Sequence, residues 1–186
     1  MAELETHTIT ALVEDKPGVL ARVAGMFSRR GFNISNLAVG RSEQDNLSRM
    51  TFVVEGDQQV VEQVTKQLYK LIDVVRVNDI SSESIVVREL ALIKVKSTAA
   101  TRPEIMQIVD IFRANIVNVS KDALIIEVTG DEDKVNALLQ LVRPFGIAET
   151  MRTGRVAMTR GGASNGAKRP AQPVPDHSAP DTDVVP

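Results

Sequence analysis

The chain has 186 residues, of which 43% are hydrophobic and 25% charged, so one medium domain or two small ones with a buried core are expected. Its formal net charge of −2 gives no strong attraction to nucleic acid or anionic membrane. Cysteine is absent and the histidines are His7 and His177, which excludes disulfides and leaves little material for a zinc site or a catalytic triad. No apolar run reaches the ~18 residues of a membrane span, and the acidic start is unlike a signal peptide. A soluble cytoplasmic protein is therefore expected.

The first half of the chain shows the element order strand, helix, strand, strand, helix, strand. The predicted strands are residues 7–14, 33–42, 47–55 and 74–80. Gly31 is the predicted C-cap of the first helix, and Asp57 is the predicted N-cap of the second. The first helix carries an apolar stripe at helical spacing, which consists of Leu20, Val23, Ala24 and Phe27.

The same order recurs after a polar segment. The pattern predicts a strand at 88–96, a helix with Thr101 and Glu104 as a capping box, strands at 116–120 and 124–129, and a helix opened by Gly130 and Asp131. Further strand material lies at 147–150 and 156–158. The predicted fold class is α+β, with two consecutive ferredoxin-like βαββαβ sandwiches. The predicted domains are 6–80 and 88–160, joined by a linker at 81–87.

The composition changes in the last part of the chain. Five of the eight prolines lie in Pro170–Pro186, among alanine, serine and aspartate. Such a segment buries too little apolar surface to offset the entropy lost on ordering. A disordered tail is therefore expected over residues 161–186.

The predicted topology separates the two ends of the first helix. In an antiparallel βαββαβ sandwich with strand order 4-1-3-2, the second strand lies at an edge. A helix of about 14 residues is some 20 Å long, so Gly18 and Asn33 lie at opposite ends of one domain. If two copies pair through their edge strands about a two-fold axis, Asn33 of one copy comes to lie beside Gly18 of the other. Two equivalent pockets would then form, each with walls from both chains.

The residues at these two ends have the chemistry of an amino-acid pocket. Free N–H groups near Gly18, Val19 and Leu20 favour an anion at the helix start, and Gly18 allows close approach because it lacks a Cβ.

The other groups complement this anion site. Asn33 offers a donor and an acceptor, and Asp15 can accept from an ammonium group. Ile34 and Leu20 add apolar surface, so the ligand would be a small apolar amino acid. The alternative to a binding site is a purely structural role, since a Pro-Gly turn commonly precedes a helix.

Longer segments of the chain resemble a known family. They are THTITALVEDKPGVLARVAGMFSRRGFNISNLAVG at 6–40, LSRMTFVVEGDQQVVEQVTKQLYKLIDVVRV at 47–77, RELALIKV at 88–95, FRANIVNVS at 112–120, PFGI at 144–147 and RTGRVAMTRG at 152–161. The first half is similar to an ACT domain, a small-molecule sensing module. The whole of 6–161 resembles the small regulatory subunits of acetolactate (acetohydroxyacid) synthase.

The resemblance implies a function and a set of site residues. Members are expected to form homodimers through their ACT domains, to activate a catalytic large subunit and to confer feedback inhibition by valine in branched-chain amino acid biosynthesis. The implied effector contacts come from one chain at Asp15, Gly18, Val19 and Leu20 and from the other chain at Asn33 and Ile34. Other members can carry asparagine at position 15. No catalytic residue, metal or cofactor is expected on this chain; thiamine diphosphate, Mg and FAD are expected on the large subunit.

Three alternatives remain beside this interpretation. An RNA-recognition module shares the βαββαβ order but needs stacking aromatics on its central strands, where this chain offers Phe52 alone. A free-standing enzyme would need a nucleophile with a nearby histidine, and Ser28, Ser35 and Ser48 have none in sequence. A stand-alone ACT sensor could regulate a different metabolic enzyme. The residues do not identify which of valine, leucine and isoleucine is the effector. The role of the second domain also stays open.

Overall fold

The computed structural model describes residues 5–161. In this part of the chain two antiparallel sheets each carry two helices on one face. The elements of the first half are β1 Glu5–Glu14, α1 Val19–Arg30, β2 Ile34–Arg41, β3 Leu47–Gly56, α2 Gln58–Leu68 and β4 Val74–Asp79. Those of the second half are β5 Ile85–Lys96, α3 Arg102–Ile111, β6 Asn115–Val119, β7 Ala123–Gly130, α4 Glu132–Val142, β8 Ile147–Arg152 and β9 Val156–Thr159, with a 3-10 turn at Arg143–Phe145.

The strand order confirms the predicted fold class. The first sheet runs β2-β3-β1-β4 and the second runs β6-β7-β5-β8, while β9 pairs with the start of β5. Every pairing is antiparallel. The strand β2 therefore lies at an edge of the first sheet, as the sequence predicted, and β6 occupies the equivalent edge of the second.

Each sheet buries its own apolar core under its helices. In the first domain Phe27 of α1 stacks on Phe52 of β3, with ring centroids 5.2 Å apart. Both rings are fully buried. The second core contains no aromatic residue among its fully enclosed members and is built from aliphatic side chains such as Ile93, Ile126 and Leu138. Two separate cores explain why the chain forms two domains rather than one.

Most predicted helix ends are confirmed, and one is wrong. Gly31 ends α1 in the left-handed region at φ 69°. Asp57 and Asp131 cap α2 and α4, each accepting a backbone N–H at 2.9 Å. Thr101 is not the predicted cap of α3, because its backbone is already helical and no side-chain cap bond forms. Its hydroxyl instead accepts from the backbone N–H of Thr98 at 3.0 Å.

The apolar stripe of α1 differs from the prediction. The helix buries Val19, Val23, Met26 and Phe27, whereas the predicted members Leu20 and Ala24 face solvent. Apolar residues are dense enough in this helix to fit two neighbouring stripes. The buried set replaces Leu20 and Ala24 with Val19 and Met26, and the larger Met26 side chain fills core volume that Ala24 would leave empty.

The boundary between the domains lies earlier than the sequence pattern places it. The strand β5 begins at Ile85, and residues 85–88 pair with β9. Residues 85–87, predicted as linker, are therefore strand, because β9 supplies the hydrogen-bonding partner that the local pattern does not reveal. Residues 162–186, which hold nearly all of the predicted tail, lie outside the described residues.

The short strand β9 packs across the first domain. Thr8 and Thr10 lie on the face of β1 opposite the helices, yet both are buried. Ala157 of β9 is buried as well, and it lines a small cavity of about 120 Å³ together with Thr10 and Ile80. Part of the second domain thus lies over the open face of the first sheet, beside Thr10 and Ile80.

Candidate effector-binding site

The start of α1 presents backbone donors without protein acceptors. Gly18 caps the helix in the left-handed region at φ 85°, with no side-chain cap bond. Within residues 5–161, the N–H groups of Leu20 and Ala21 donate to no protein acceptor, whereas that of Val19 donates to the Lys16 carbonyl at 3.3 Å. No acidic residue occupies the first turn. The helix start is therefore open to an anion: the N–H of Leu20 is free as the sequence predicts, that of Val19 is not, and that of Ala21 is free in addition.

An arginine that sequence reasoning missed lies beside this helix start. The Nε atom of Arg22 donates to Oδ2 of Asp73 at 2.6 Å, and this bond raises the pKa of the Arg22 guanidinium above its ordinary value. A Cβ at Gly18 would lie 3.3 Å from Nη1 of Arg22. The buried carboxylate of Asp73 thus holds a cation beside Gly18. The position of Arg22, four residues after Gly18 and so one helical turn away, could have indicated that its side chain lies near Gly18. Its partner Asp73 is too distant in sequence for a local pattern to reveal the pair.

The other predicted residues at this end differ in what they can offer. The side chain of Val19 is only 3% exposed and belongs to the core, so only its backbone faces the site. Leu20 is 47% exposed and presents apolar surface. The carboxylate of Asp15 is half-exposed and lies 3.9 Å from Nε of Arg41, at the end of β2.

Asn33 and Ile34 lie at the other end of the domain. Asn33 is exposed just before β2, and Ile34 is half-buried against the core. The helix between the two ends has 12 residues, which corresponds to about 18 Å. The structure thus brings Asp15, Gly18, Val19 and Leu20 together and keeps Asn33 and Ile34 apart from them within one chain.

The edge strand provides a route by which a second copy could join the two ends. Both β1 and β2 pair antiparallel with β3, so they run in the same direction. The outer edge of β2 carries no strand among the described residues, which leaves its outward N–H and C=O groups available for pairing. An antiparallel copy of β2 would carry its own Asn33 toward the Gly18 end.

Family models match both domains. The model described as an acetohydroxyacid synthase small subunit-like ACT domain covers residues 9–76. The model described as the small subunit of acetolactate synthase covers residues 88–161.

The chain belongs to the acetolactate synthase small-subunit family. A probable acetolactate synthase small subunit of Archaeoglobus fulgidus is 63% identical over 155 residues, which are 83% of this chain and 97% of the relative. The acetolactate synthase small subunit of Mycobacterium leprae is 50% identical over 169 residues, covering 91% of this chain and all of the relative.

A solved member of the family has the same fold. The crystal structure of the acetolactate synthase small subunit from Thermotoga maritima superposes with a TM-score of 0.81 at 44% identity, covering 86% of this chain and 100% of that chain. The expected family is therefore confirmed, along with its two-domain α+β fold.

Residues 5–161 contain no helix long and apolar enough to cross a membrane. Nor does that part of the chain hold three or more histidine or acidic side chains grouped as metal ligands.

Proposed function

We propose that this chain is the regulatory subunit of an acetolactate synthase, which senses valine at a pocket shared by two copies and transmits its occupancy to the catalytic large subunit. The observation that carries this proposal is the open start of α1, where Gly18, two free backbone N–H groups and the guanidinium of Arg22 converge. A ligand carboxylate is the group that matches this set of donors.

The remaining groups of an aliphatic amino acid also find partners. Its ammonium would be received by Asn33 of a second copy and by the half-exposed carboxylate of Asp15. Its side chain would lie against the exposed Leu20 and against Ile34 of the second copy. Each charge-assisted hydrogen bond contributes about 1.5–3 kcal/mol, so two or three of them would suffice for a ligand of this size in the micromolar to millimolar range.

The dimer is part of the proposed site. Pairing of two β2 strands would satisfy the open sheet edge and create two identical pockets related by the two-fold axis. Because neither chain holds both half-sites near each other, affinity for the effector would depend on dimerisation. Valine would in turn stabilise the dimer, since linkage between the two equilibria is reciprocal.

Catalysis would reside in the large subunit. We assign to that partner the thiamine diphosphate, Mg and FAD of the reaction, and to this chain the activation of the partner and its inhibition by valine in branched-chain amino acid synthesis. Both effects require the small subunit to bind the large one and to favour one of two states of it, typically by about 1–3 kcal/mol.

Reconstitution with matched variants at position 18 tests this function. Both Asn and Asp tolerate the left-handed backbone that Gly18 adopts, so Gly18→Asn adds a side chain and Gly18→Asp adds the same bulk with a negative charge. The purified large subunit is assayed with each variant across a valine titration. We expect activation to persist with both, and inhibition to be lost most completely with Gly18→Asp. Full valine inhibition with Gly18→Asp would refute the pocket, and an absence of activation by the parent chain would refute the regulatory role.

A further inference from the structure

The segment that carries the second half-site also contacts the second domain. The side chain of Asn36 in β2 accepts a hydrogen bond from the backbone N–H of Arg155 at 2.9 Å. This contact joins residues 119 positions apart in the chain. It lies at the rim of a cavity of about 560 Å³ whose walls come from both domains. Asn36 is three residues from Asn33, so effector site and domain contact share one short stretch of β2.

That stretch is the part of β2 least constrained by its own sheet. The pairing of β2 with β3 shifts register between Ile34 and Asn36. Ser35 is left out of the ladder, and its hydroxyl donates to the Val53 carbonyl at 3.2 Å. A bulge of this kind interrupts the ladder locally, bends the edge strand and re-aims the side chains beside it.

The receiving loop between β8 and β9 is shaped to fit Asn36. Gly154 adopts φ 82°, and a Cβ there would lie 2.9 Å from the amide nitrogen and oxygen of Asn36. Thr153 next to it is fixed to β5, since its N–H donates to the Leu90 carbonyl at 3.0 Å. Only glycine allows this close approach without strain, so the backbone at Gly154 and the side chain of Asn36 are packed as a matched pair.

The loop is also tied to α4. Nη2 of Arg155 donates to Oε2 of Glu132, in the first turn of that helix, at 2.5 Å. Nη1 of Arg152 donates to Oδ1 of Asn136 at 2.9 Å, and its other terminal nitrogen pairs with the buried carboxylate of Glu89. Arg155 of the loop and Arg152, the last residue of β8, therefore both connect this region to α4.

We propose that Asn36 is a positioning residue that couples the Asn33–Ile34 half-site to α4 of the second domain. The inference rests on the proposed function and deepens it, because it assigns the route by which occupancy of the pocket leaves the first domain. Asn36 itself does not touch the effector. Valine would stabilise one position of the bulged segment, and the Asn36–Arg155 contact would move the loop and α4 with it.

The decisive experiment separates binding from response. For Asn36→Ala, calorimetry of the small subunit should give a valine affinity within about threefold of the parent. In the complex with the large subunit, the extent of inhibition at saturating valine should fall by about fivefold or more, which is the size of a typical allosteric coupling. Asn36→Asp keeps the oxygen that accepts from Arg155 and should restore the response. Asn115→Ala, which removes an exposed asparagine from the edge strand β6, is the matched control and should behave as the parent.

A double-mutant cycle tests the contact from the other side. Gly154→Ala should weaken the response because its Cβ displaces the Asn36 amide, and this effect should be smaller when position 36 is already alanine. Undiminished inhibition with Asn36→Ala would overturn the inference, as would a loss of valine binding itself. Additive effects of the two substitutions would also overturn it.

Amide exchange distinguishes failure of the coupling from failure of the proposed function. Without effector, loss of its acceptor should speed exchange of the Arg155 amide by about tenfold or more in Asn36→Ala. Unchanged exchange would show that the contact is not made, whatever valine does. If exchange responds but the parent complex is insensitive to valine, the proposed function fails and the coupling fails with it.

Discussion

Two defective variants should repair each other if the effector pocket is shared between chains. A hybrid dimer of one Gly18→Asp chain and one Asn33→Ala chain holds one pocket with both defects and one pocket with neither. If the pocket lay within a single chain, every pocket of the hybrid would be defective. The two half-sites lie at opposite ends of α1, about 18 Å apart for 12 residues. Mixing the two variants therefore tests whether each pocket takes its half-sites from different chains.

The expected sizes follow from the contacts at each end. In the proposed pocket, Asn33→Ala would remove a hydrogen-bonding partner of the ligand and should cost about 1–3 kcal/mol, which weakens binding by about 5- to 150-fold. Gly18→Asp should cost more, because a carboxylate then faces the carboxylate of the ligand and a Cβ is added at φ 85°. Random exchange between equal amounts of the two variants makes about half of the dimers hybrid, so about a quarter of all pockets are intact.

Calorimetry with valine after subunit exchange measures this fraction directly. The mixture should regain the parent affinity at about a quarter of the parent stoichiometry, while each variant alone stays weak. Mixing Gly18→Asp with Gly18→Asn provides the matched control, since both defects lie in the same half-site and no hybrid pocket is intact. A mixture that binds no more tightly than its components would refute the shared pocket.

Three further predictions concern stability and titration. Asp57→Ala and Asp131→Ala should each cost about 1 kcal/mol, because a first-turn N–H loses its acceptor; an unchanged Tm in thermal unfolding would contradict the caps. Leu138→Ala removes a fully buried side chain and should lower the free energy of unfolding by about 2–5 kcal/mol in a denaturant titration, and a much smaller loss would mean that the core refills. The backbone amide of Glu43 and the guanidinium of Arg49 lower the pKa of the Glu43 carboxyl, so the stability from this contact is present above the ordinary carboxyl pKa and lost as pH falls through the lowered one. Arg49→Ala should raise that pKa, and an NMR titration of the carboxyl carbon that shows no change would disprove the contribution of Arg49.

Features set by neighbouring residues were predictable from the sequence. The alternation in β1, the glycine at Gly31 and the aspartates at Asp57 and Asp131 each act within a few residues, so their patterns predicted the element order and most helix ends. The strand order then followed from the small number of ways in which such a sequence of elements can pack. The rotation of α1 did not follow, because Leu20 and Val19 fit neighbouring stripes and only the shape of the core decides between them.

Contacts between distant parts of the chain could not be predicted in the same way. The pairing of Arg22 with Asp73 and that of Asn36 with Arg155 span 51 and 119 residues, and no local pattern links their members. The predicted site consequently contained its glycine and asparagine but not the arginine beside the glycine. Thr8 and Thr10 alternate with apolar residues as if one face of β1 met water, yet both are buried, and residues of β9 lie beside Thr10.

The position of β9 has a consequence for how the protein is made. The first sheet is complete in sequence at Asp79, but the strand that lies beside Thr10 on its open face is Val156–Thr159. At about 5–20 residues per second, some 4–16 s of synthesis separate the two. During that interval the threonine face of the nascent first domain is in contact with water and cannot adopt its final packing. The first domain to be synthesised is thus completed by almost the last described residues of the chain, and a product truncated before β9 would be defective in both domains.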